Sequence, residues 1–98
     1  MTQTNLEFLL TLEETIQGRL RGTAADSYTA TLAAAGTRRI AQKVGEEAVE
    51  LALAAVAGDQ QEMLDEAADL TYHLLVLLNT QDIRLADVIA VLESRHKN

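Results

Sequence analysis

The sequence predicts an all-α protein, a compact bundle of four to five helices. The 98-residue chain contains no proline, and no long run of β-branched residues favours a strand. Alanine and leucine, both strong helix formers, are abundant. Apolar residues also recur at helical spacing, and glycines stand where several of these periodic segments stop. A chain of this length is expected to form one domain, spanning residues 1–98.

The first helix is predicted from its start and from its apolar spacing. Thr4 with Glu7 fits a capping box, in which each side chain bonds the other residue's backbone N–H group. Apolar residues then keep a roughly helical spacing as far as Leu20. Residues 21–26 follow as a predicted loop.

The second and third helices are predicted from caps and glycines. Ser27 or Asp26 can cap a short second helix that ends at Ala35, because Gly36 is a favourable stop. A longer third helix is predicted over residues 37–57. A second glycine follows its last residue and ends it in the same way.

The fourth helix begins after Asp59, which fits a capping box with Glu62, and it continues to about Leu78. Only two or three residues around Gly58 join it to the third helix. Such a short connection makes two helices antiparallel neighbours. We therefore expect these two helices to form the centre of the bundle.

The end of the chain carries one more helix. Residues 79–82 are predicted to form a turn. The last helix holds apolar residues at positions i, i+3, i+4 and i+7, which are Leu85, Val88, Ile89 and Leu92. The tail, residues 94–98, is expected to fray because nothing in it is apolar.

Charge and composition narrow the range of functions. The formal net charge of −7 argues against a general nucleic-acid binder, which needs a basic face. Cysteine is absent, which excludes disulfides and thiol catalysis. No secretory signal is recognisable, and the apolar run 70–78 is too short to span a bilayer. We expect a cytoplasmic protein without membrane or nucleic-acid partners, and its thin core predicts a homodimer or a larger homo-oligomer.

The most informative stretch is residues 44–83, which contains no lysine or arginine. Glutamates on exposed helices usually have basic residues one turn away, because opposite charges stabilise such pairs. Within the stretch no such base accompanies its nine acidic residues: Glu46, Glu47, Glu50, Asp59, Glu62, Asp65, Glu66, Asp69 and Asp82. A carboxylate stripe on a buried helix needs protons, bases or a metal ion. The alternative is a solvated acidic face, which is common on helices.

Helical geometry brings four of these carboxylates together. At about 100° per residue, Glu47 and Glu50 share one side of the third helix, and Glu66 and Asp69 share one stripe of the fourth. Glu50 and Glu66 each lie about eight residues from the turn, so they sit at similar heights. Four carboxylates facing one groove indicate a hard divalent cation, for which Mg²⁺ is the first choice, and hence phosphate chemistry.

Two stretches of the sequence resemble a known family. Residues 43–50 read KVGEEAVE, and residues 66–78 read EAADLTYHLLVLL. Together they match the EExxE…ExxD signature of the all-α nucleoside-triphosphate pyrophosphohydrolases, the MazG-like superfamily. Within it, these stretches and SYTA at 27–30 are similar to the phosphoribosyl-ATP pyrophosphohydrolases. The resemblance covers residues 6–93, and it is weakest at 22–26, which lacks a proline that many relatives carry.

The resemblance implies hydrolysis of phosphoribosyl-ATP to phosphoribosyl-AMP and pyrophosphate, the second step of histidine biosynthesis, with Mg²⁺ as cofactor. In many organisms this domain is fused to the next enzyme, a cyclohydrolase, and a chain ending at residue 98 is expected to be the stand-alone form. The motif assigns the metal to Glu47, Glu50, Glu66 and Asp69. Glu46 would accept a proton from the attacking water or hold a second ion, with a plain surface glutamate as the alternative.

Five residues are predicted to bind the phosphates, sugar or base of the substrate: Lys43, Arg39, Arg21, Tyr28 and His73. Lys43 would bind a phosphate, with an ion pair to Glu47 as its alternative. The two arginines would do the same or would be solvated. Tyr28 would stack on base or ribose, or pack in the core or against another subunit. His73 is interpreted as a core residue bonded to a neighbour, a partner that orients Asp69, or a substrate contact.

Two other functions compete with this one. A house-cleaning hydrolase of non-standard or surplus nucleoside triphosphates would share the metal site and differ only in its pocket. Comparing pyrophosphate release from phosphoribosyl-ATP and from deoxynucleoside triphosphates separates these two. A non-catalytic helical dimerisation module would leave the acidic stripes solvated, and Mg²⁺ would then stabilise the protein little against heat.

Overall fold

Five α-helices make up most of the chain in the computed structural model, which describes residues 5–22 and 27–97. In chain order they are α1 (Phe8–Leu20), α2 (Tyr28–Ala35), α3 (Thr37–Ala57), α4 (Gln60–Thr80) and α5 (Leu85–Arg95). No strand occurs in the described residues. The prediction of an all-α bundle is confirmed, and the number of helices is the higher of the two expected.

The two longest helices, α3 and α4, pack against each other as an antiparallel pair. Gly58 ends α3 in the left-handed conformation, with φ 74° and ψ 23°, which a residue with a side chain adopts only at a cost. Asp59 then caps α4, because its carboxylate accepts a hydrogen bond from the Glu62 N–H at 3.0 Å. The predicted range of α3, the stop at Gly58 and the cap at Asp59 are all confirmed.

The short helix α2 is also built as predicted. The Ser27 hydroxyl accepts a hydrogen bond from the Ala30 N–H at 3.0 Å, so serine is the residue that caps this helix. The alternative cap, Asp26, lies outside the described residues. The helix stops at Gly36, where φ is 99°.

The buried core lies where α4 meets α1, α2 and α3. One apolar side chain from each of these three helices and two from α4 form it: Ile16, Leu32, Ile40, Leu75 and Val76. Each such side chain contributes roughly 1.5–3 kcal/mol when it is fully buried, so five of them make a modest core. Leu85 of α5 packs only against its edge. The predicted central position of α4 is confirmed.

Three helix ends differ from those predicted, two of them at the ends of the chain. α1 begins at Phe8 and not directly after Thr4, because a tighter turn precedes it, in which the Phe8 N–H bonds the Asn5 carbonyl at 3.3 Å. Thr4 itself lies outside the described residues. At the other end of the chain, α5 continues to Arg95, although fraying was expected from residue 94. The backbone N–H and the side chain of His96 both bond the Leu92 carbonyl and hold this last turn.

α4 reaches Thr80, two residues beyond its predicted end. Asn79 stays helical because its side-chain amide donates to the Leu75 carbonyl at 2.8 Å and to Glu13 Oε2 at 3.0 Å. The same oxygen of Glu13 accepts the Leu85 N–H at 2.7 Å. One buried carboxylate of α1 therefore holds both the end of α4 and the start of α5, which the sequence of α4 alone did not reveal.

Candidate metal and phosphate site

The three glutamates of α3 lie in different surroundings. Glu46 and Glu50 are exposed, whereas Glu47 is 6% exposed. The side chain of Glu46 accepts a hydrogen bond from the Gln42 amide one turn earlier at 2.9 Å. The buried face of α3 therefore carries one of the predicted metal ligands, and the exposed face carries the other two acidic residues of the motif.

The acidic stripe of α4 lies across the groove from Glu50. The pKa of Glu66 is raised from 4.5 to about 7, chiefly by a hydrogen bond with the Glu62 side chain, then by partial burial and by the charges of Glu50, Glu62 and Asp69. Because Glu50 belongs to α3 and Glu66 to α4, this shift locates carboxylates of both helices close together. No lysine or arginine between residues 44 and 83 offsets their charge.

The carboxylates of α3 and α4 are suitable ligands for a divalent cation. The structure brings the predicted ligands together only in part. The charges of Glu50 and Asp69 both act on Glu66, whereas Glu47 is turned toward α4 and bonded there to His73. Nowhere in residues 5–22 and 27–97 do three metal-binding side chains already surround one point. Carboxylate oxygens are the ligands that Mg²⁺ prefers, and a cation would offset the repulsion that raises the pKa of Glu66.

His73 joins the metal-site helices to α2. It is 6% exposed, its Nδ1 lies 2.6 Å from Glu47 Oε1, and its Nε2 lies 2.7 Å from the Tyr28 hydroxyl. One of its alternative interpretations was a partner that orients Asp69, and of that residue it bonds only the backbone carbonyl, at 3.0 Å. His73 is about three residues farther from the turn than Glu47, an offset of roughly 4.5 Å that two long side chains can bridge. Counting from the turn could have suggested this pair, which the sequence analysis missed.

Tyr28 lies at the start of α2, beside Tyr72 and His73 of α4. Its side chain is half exposed, and its ring contacts those of Tyr72 and His73. The hydroxyl of the next residue, Thr29, is hydrogen-bonded to that of Tyr72. Two adjacent residues of α2 are thus bonded to two adjacent residues of α4, which fixes the start of α2 beside Glu47.

Two of the predicted phosphate-binding bases lie on α3 and the third at the end of α1. Lys43 is half-buried, Arg39 is exposed near the start of the helix, and Arg21 is exposed at the end of α1. In the described part of the chain the one ion pair within 4.0 Å is His73 with Glu47, so the alternative pair of Lys43 with Glu47 is not seen. Cations that no carboxylate neutralises can donate to phosphate oxygens.

A shallow groove of about 670 Å³ runs along the exposed side of α3. It is lined by residues at helical spacing, which are Gln42, Gly45, Glu46, Val49 and Glu50. A Cβ added to Gly45 would meet no atom within 4 Å, so packing inside the described chain does not require glycine there. Glycine in mid-helix costs about 1 kcal/mol relative to alanine, and close approach of a ligand or another chain would explain it.

Comparison with known proteins identifies the family of the chain. Residues 9–96 match the phosphoribosyl-ATP pyrophosphohydrolase family. The chain is similar to the histidine biosynthesis bifunctional protein HisIE of Vibrio cholerae, with 53% identity over 97% of this chain and 45% of the relative. The corresponding proteins of Yersinia pestis and Salmonella typhi are 54% and 56% identical over 92% of this chain and 44% of their own lengths.

The chain thus spans less than half the length of the curated relatives it matches. Among the residues that the structure describes, none of the helices combines the length and the apolar character needed to cross a membrane. The two acidic motifs fall within the matched range, on the helices that face each other. The match covers most of the chain and confirms the resemblance read from its motifs: this chain belongs to the phosphoribosyl-ATP pyrophosphohydrolase family.

Proposed function

We propose that the chain hydrolyses phosphoribosyl-ATP to phosphoribosyl-AMP and pyrophosphate in the cytoplasm, and that the reaction depends on Mg²⁺. The observation that supports this most strongly is the group of carboxylates on α3 and α4, which raises the pKa of Glu66 to about 7 and has no basic residue within it. Family membership supports the substrate, and the unpaired bases around α3 support a polyphosphate.

The ligands of the metal would be Glu47, Glu50, Glu66 and Asp69. When bound, Mg²⁺ would offset charge on the phosphate oxygens and lower the pKa of a coordinated water. Glu47 is the most buried of the four, and its carboxylate is held by His73. The other three lie in a more open part of the groove, where solvent and substrate can reach them.

The remaining residues would bind the substrate and move protons. Lys43, Arg39 and Arg21 would donate hydrogen bonds to the triphosphate, which needs more cationic donors than one metal ion supplies. Glu46 is exposed beside the groove and is hydrogen-bonded to Gln42, so it can accept a proton from the attacking water. Tyr28 is half exposed at the edge of the site, where its ring can contact the base or ribose.

A pyrophosphate-release assay with phosphoribosyl-ATP, with Mg²⁺ and after chelation, tests this function. We expect release only with the metal, and Glu50→Gln should lower the rate by at least about 100-fold, because a direct ligand should matter at least as much as the residues behind it. Glu93→Gln, which changes an exposed glutamate of α5, is the matched control. Equal or faster turnover of deoxynucleoside triphosphates would instead identify a house-cleaning hydrolase.

We also propose that the chain acts as a homodimer or a larger homo-oligomer. Large apolar side chains stand exposed on the α3–α4 pair: Val49, Leu53, Val56 and Leu64. Val56 is 88% exposed, and the helices around it bury only a small core. Light scattering should give a multiple of the 10.7 kDa chain mass, and Leu53→Asp should reduce it. A monomer at micromolar concentration contradicts the assembly without affecting the metal site.

A further inference from the structure

The buried pair of Glu47 and His73 is built differently from the other acidic contacts of the groove. The two side chains are each 8% exposed, and Nδ1 of the ring lies 2.6 Å from Oε1 of the carboxylate. No hydrogen bond joins Oε2 of Glu47 to any residue that the structure describes. One oxygen of this carboxylate is therefore bound by the protein, while the other is left for a ligand.

The neighbours of the ring determine where its proton lies. Nδ1 faces two oxygens that can only accept, Glu47 Oε1 and the Asp69 carbonyl, which lies 3.0 Å away. Nδ1 must therefore carry a hydrogen and donate it, since a bare nitrogen would face two lone pairs. In the neutral ring Nε2 is then the acceptor, and it takes the hydrogen of the Tyr28 hydroxyl at 2.7 Å.

The ring also packs against two tyrosine rings. The rings of Tyr28 and Tyr72 meet it edge-on, at centroid distances of 5.7 and 5.3 Å and interplanar angles of 79° and 87°. Ser27 caps α2 and thereby places Tyr28 at its first turn. The chain of contacts runs from α2 through the ring to the carboxylate of α3.

We propose that His73 is a positioning residue that presents the free oxygen of Glu47 to the divalent cation, and that Tyr28 positions His73. This rests on the metal site proposed above, and it assigns His73, together with the Tyr28 hydroxyl, a role behind the metal ligand. His73 itself has both ring nitrogens occupied and is buried, so it does not touch the substrate. A histidine bonded behind a ligand orients that ligand, and its loss typically weakens metal affinity by about 10- to 100-fold.

Binding of Mn²⁺, followed by electron paramagnetic resonance, tests the proposal without any turnover. We expect His73→Leu to raise the Mn²⁺ dissociation constant by about 10-fold or more. The Mn²⁺ dissociation constant of His73→Asn should stay within about threefold of the parent value, because the asparagine N–H stands where Nδ1 stands. His73→Gln places its N–H near the position of Nε2, so it should bind Mn²⁺ as weakly as His73→Leu does. Loss of activity in His73→Leu should be partly recovered at high Mg²⁺ concentration, which a purely structural defect would not show.

The matched control is Tyr72→Phe. It removes a hydroxyl from the same contact between α2 and α4, the one bonded to Thr29, and does not interrupt the chain to Glu47. We expect it to lower the melting temperature and to leave Mn²⁺ affinity within about twofold, since a lost hydrogen bond of this kind costs roughly 1 kcal/mol of stability. Tyr28→Phe should weaken Mn²⁺ binding less than His73→Leu does.

Three results separate the possible failures. A parent chain that binds no Mn²⁺ overturns the metal site, and this inference with it. A parent that binds Mn²⁺ while His73→Leu binds it equally well overturns the positioning role alone. Should the leucine variant fail to fold, nitrogen-15 NMR of the parent decides: we expect a proton on Nδ1 of His73, and a bare Nδ1 overturns the proposal.

Discussion

Glu13 and Glu47 are both carboxylates that are 6% exposed, yet their surroundings differ. One oxygen of Glu13 accepts two hydrogen bonds from uncharged donors, the Asn79 amide and the Leu85 N–H. Within the described residues Glu47 is hydrogen-bonded to one partner, His73, and it lies on α3, one of the two helices that carry the acidic motifs. The first carboxylate joins three helices, and the second is held while one of its oxygens stays free. Burial alone therefore does not distinguish a structural carboxylate from a functional one, whereas the donors around it do.

The largest expected difference between the two is in activity. Glu47→Gln keeps the volume of the side chain and loses its charge, so we expect kcat/KM to fall by at least about 100-fold, or roughly 2.7 kcal/mol of transition-state stabilisation. Helical circular dichroism should be unchanged. Glu13→Gln is the control and should keep kcat/KM within a few-fold. A similar fall in both variants would mean that Glu47 acts through folding.

Stability should show the opposite order. Glu13→Ala leaves the Asn79 amide and the Leu85 N–H without their acceptor, and we expect the free energy of unfolding in urea to fall by about 2 kcal/mol or more. Mn²⁺ affinity should be retained, because the groove on α3 and α4 is untouched. Glu14→Ala changes the exposed neighbour on the same helix and should stay within about 0.5 kcal/mol. An Mn²⁺ affinity that falls with stability would contradict the separation.

The groove should also make stability depend on pH. The pKa of Glu66 is about 7 in the fold and 4.5 without it, so its protonated form favours folding. This contribution is fully present below pH 4.5, decreases as pH rises, and is lost above about 7, because the unfolded state binds fewer protons over that range. Urea titrations of the metal-free protein between pH 5 and 8 should show stability falling with pH. Glu66→Gln should flatten this slope, and a slope unchanged in that variant would refute the assignment.

The smallest expected effect concerns the cap that places Tyr28. Ser27→Ala removes the acceptor of the Ala30 N–H, and we expect a loss of about 1 kcal/mol in the free energy of unfolding. Thr31→Ala, at an exposed position of the same helix, is the control and should change stability by less than about 0.5 kcal/mol. A silent Ser27→Ala would mean that contacts with α4 alone hold the start of α2.

Local sequence signals were enough to predict much of the fold. The boundaries of α3 and the start of α4 follow from Gly58 and Asp59, whose effects depend on neighbours within a few residues in the chain. The end of α4 was predicted too early, since Asn79 resembles a turn residue until Glu13 of another helix bonds it. The single-domain organisation over residues 1–98 stays a prediction.

The sequence by itself determined the helices, the acidic motifs on two of them, and the family that carries those motifs. It could place Glu66 and Asp69 on one stripe, because position around a helix depends only on residue number. Only the tertiary structure decided that His73 bonds the Glu47 side chain and not that of Asp69, and that Glu13 joins α1 to α4 and α5. The physical reason is that the rotation and offset of one helix against another are set by side-chain packing between them, which no periodicity within a single helix contains.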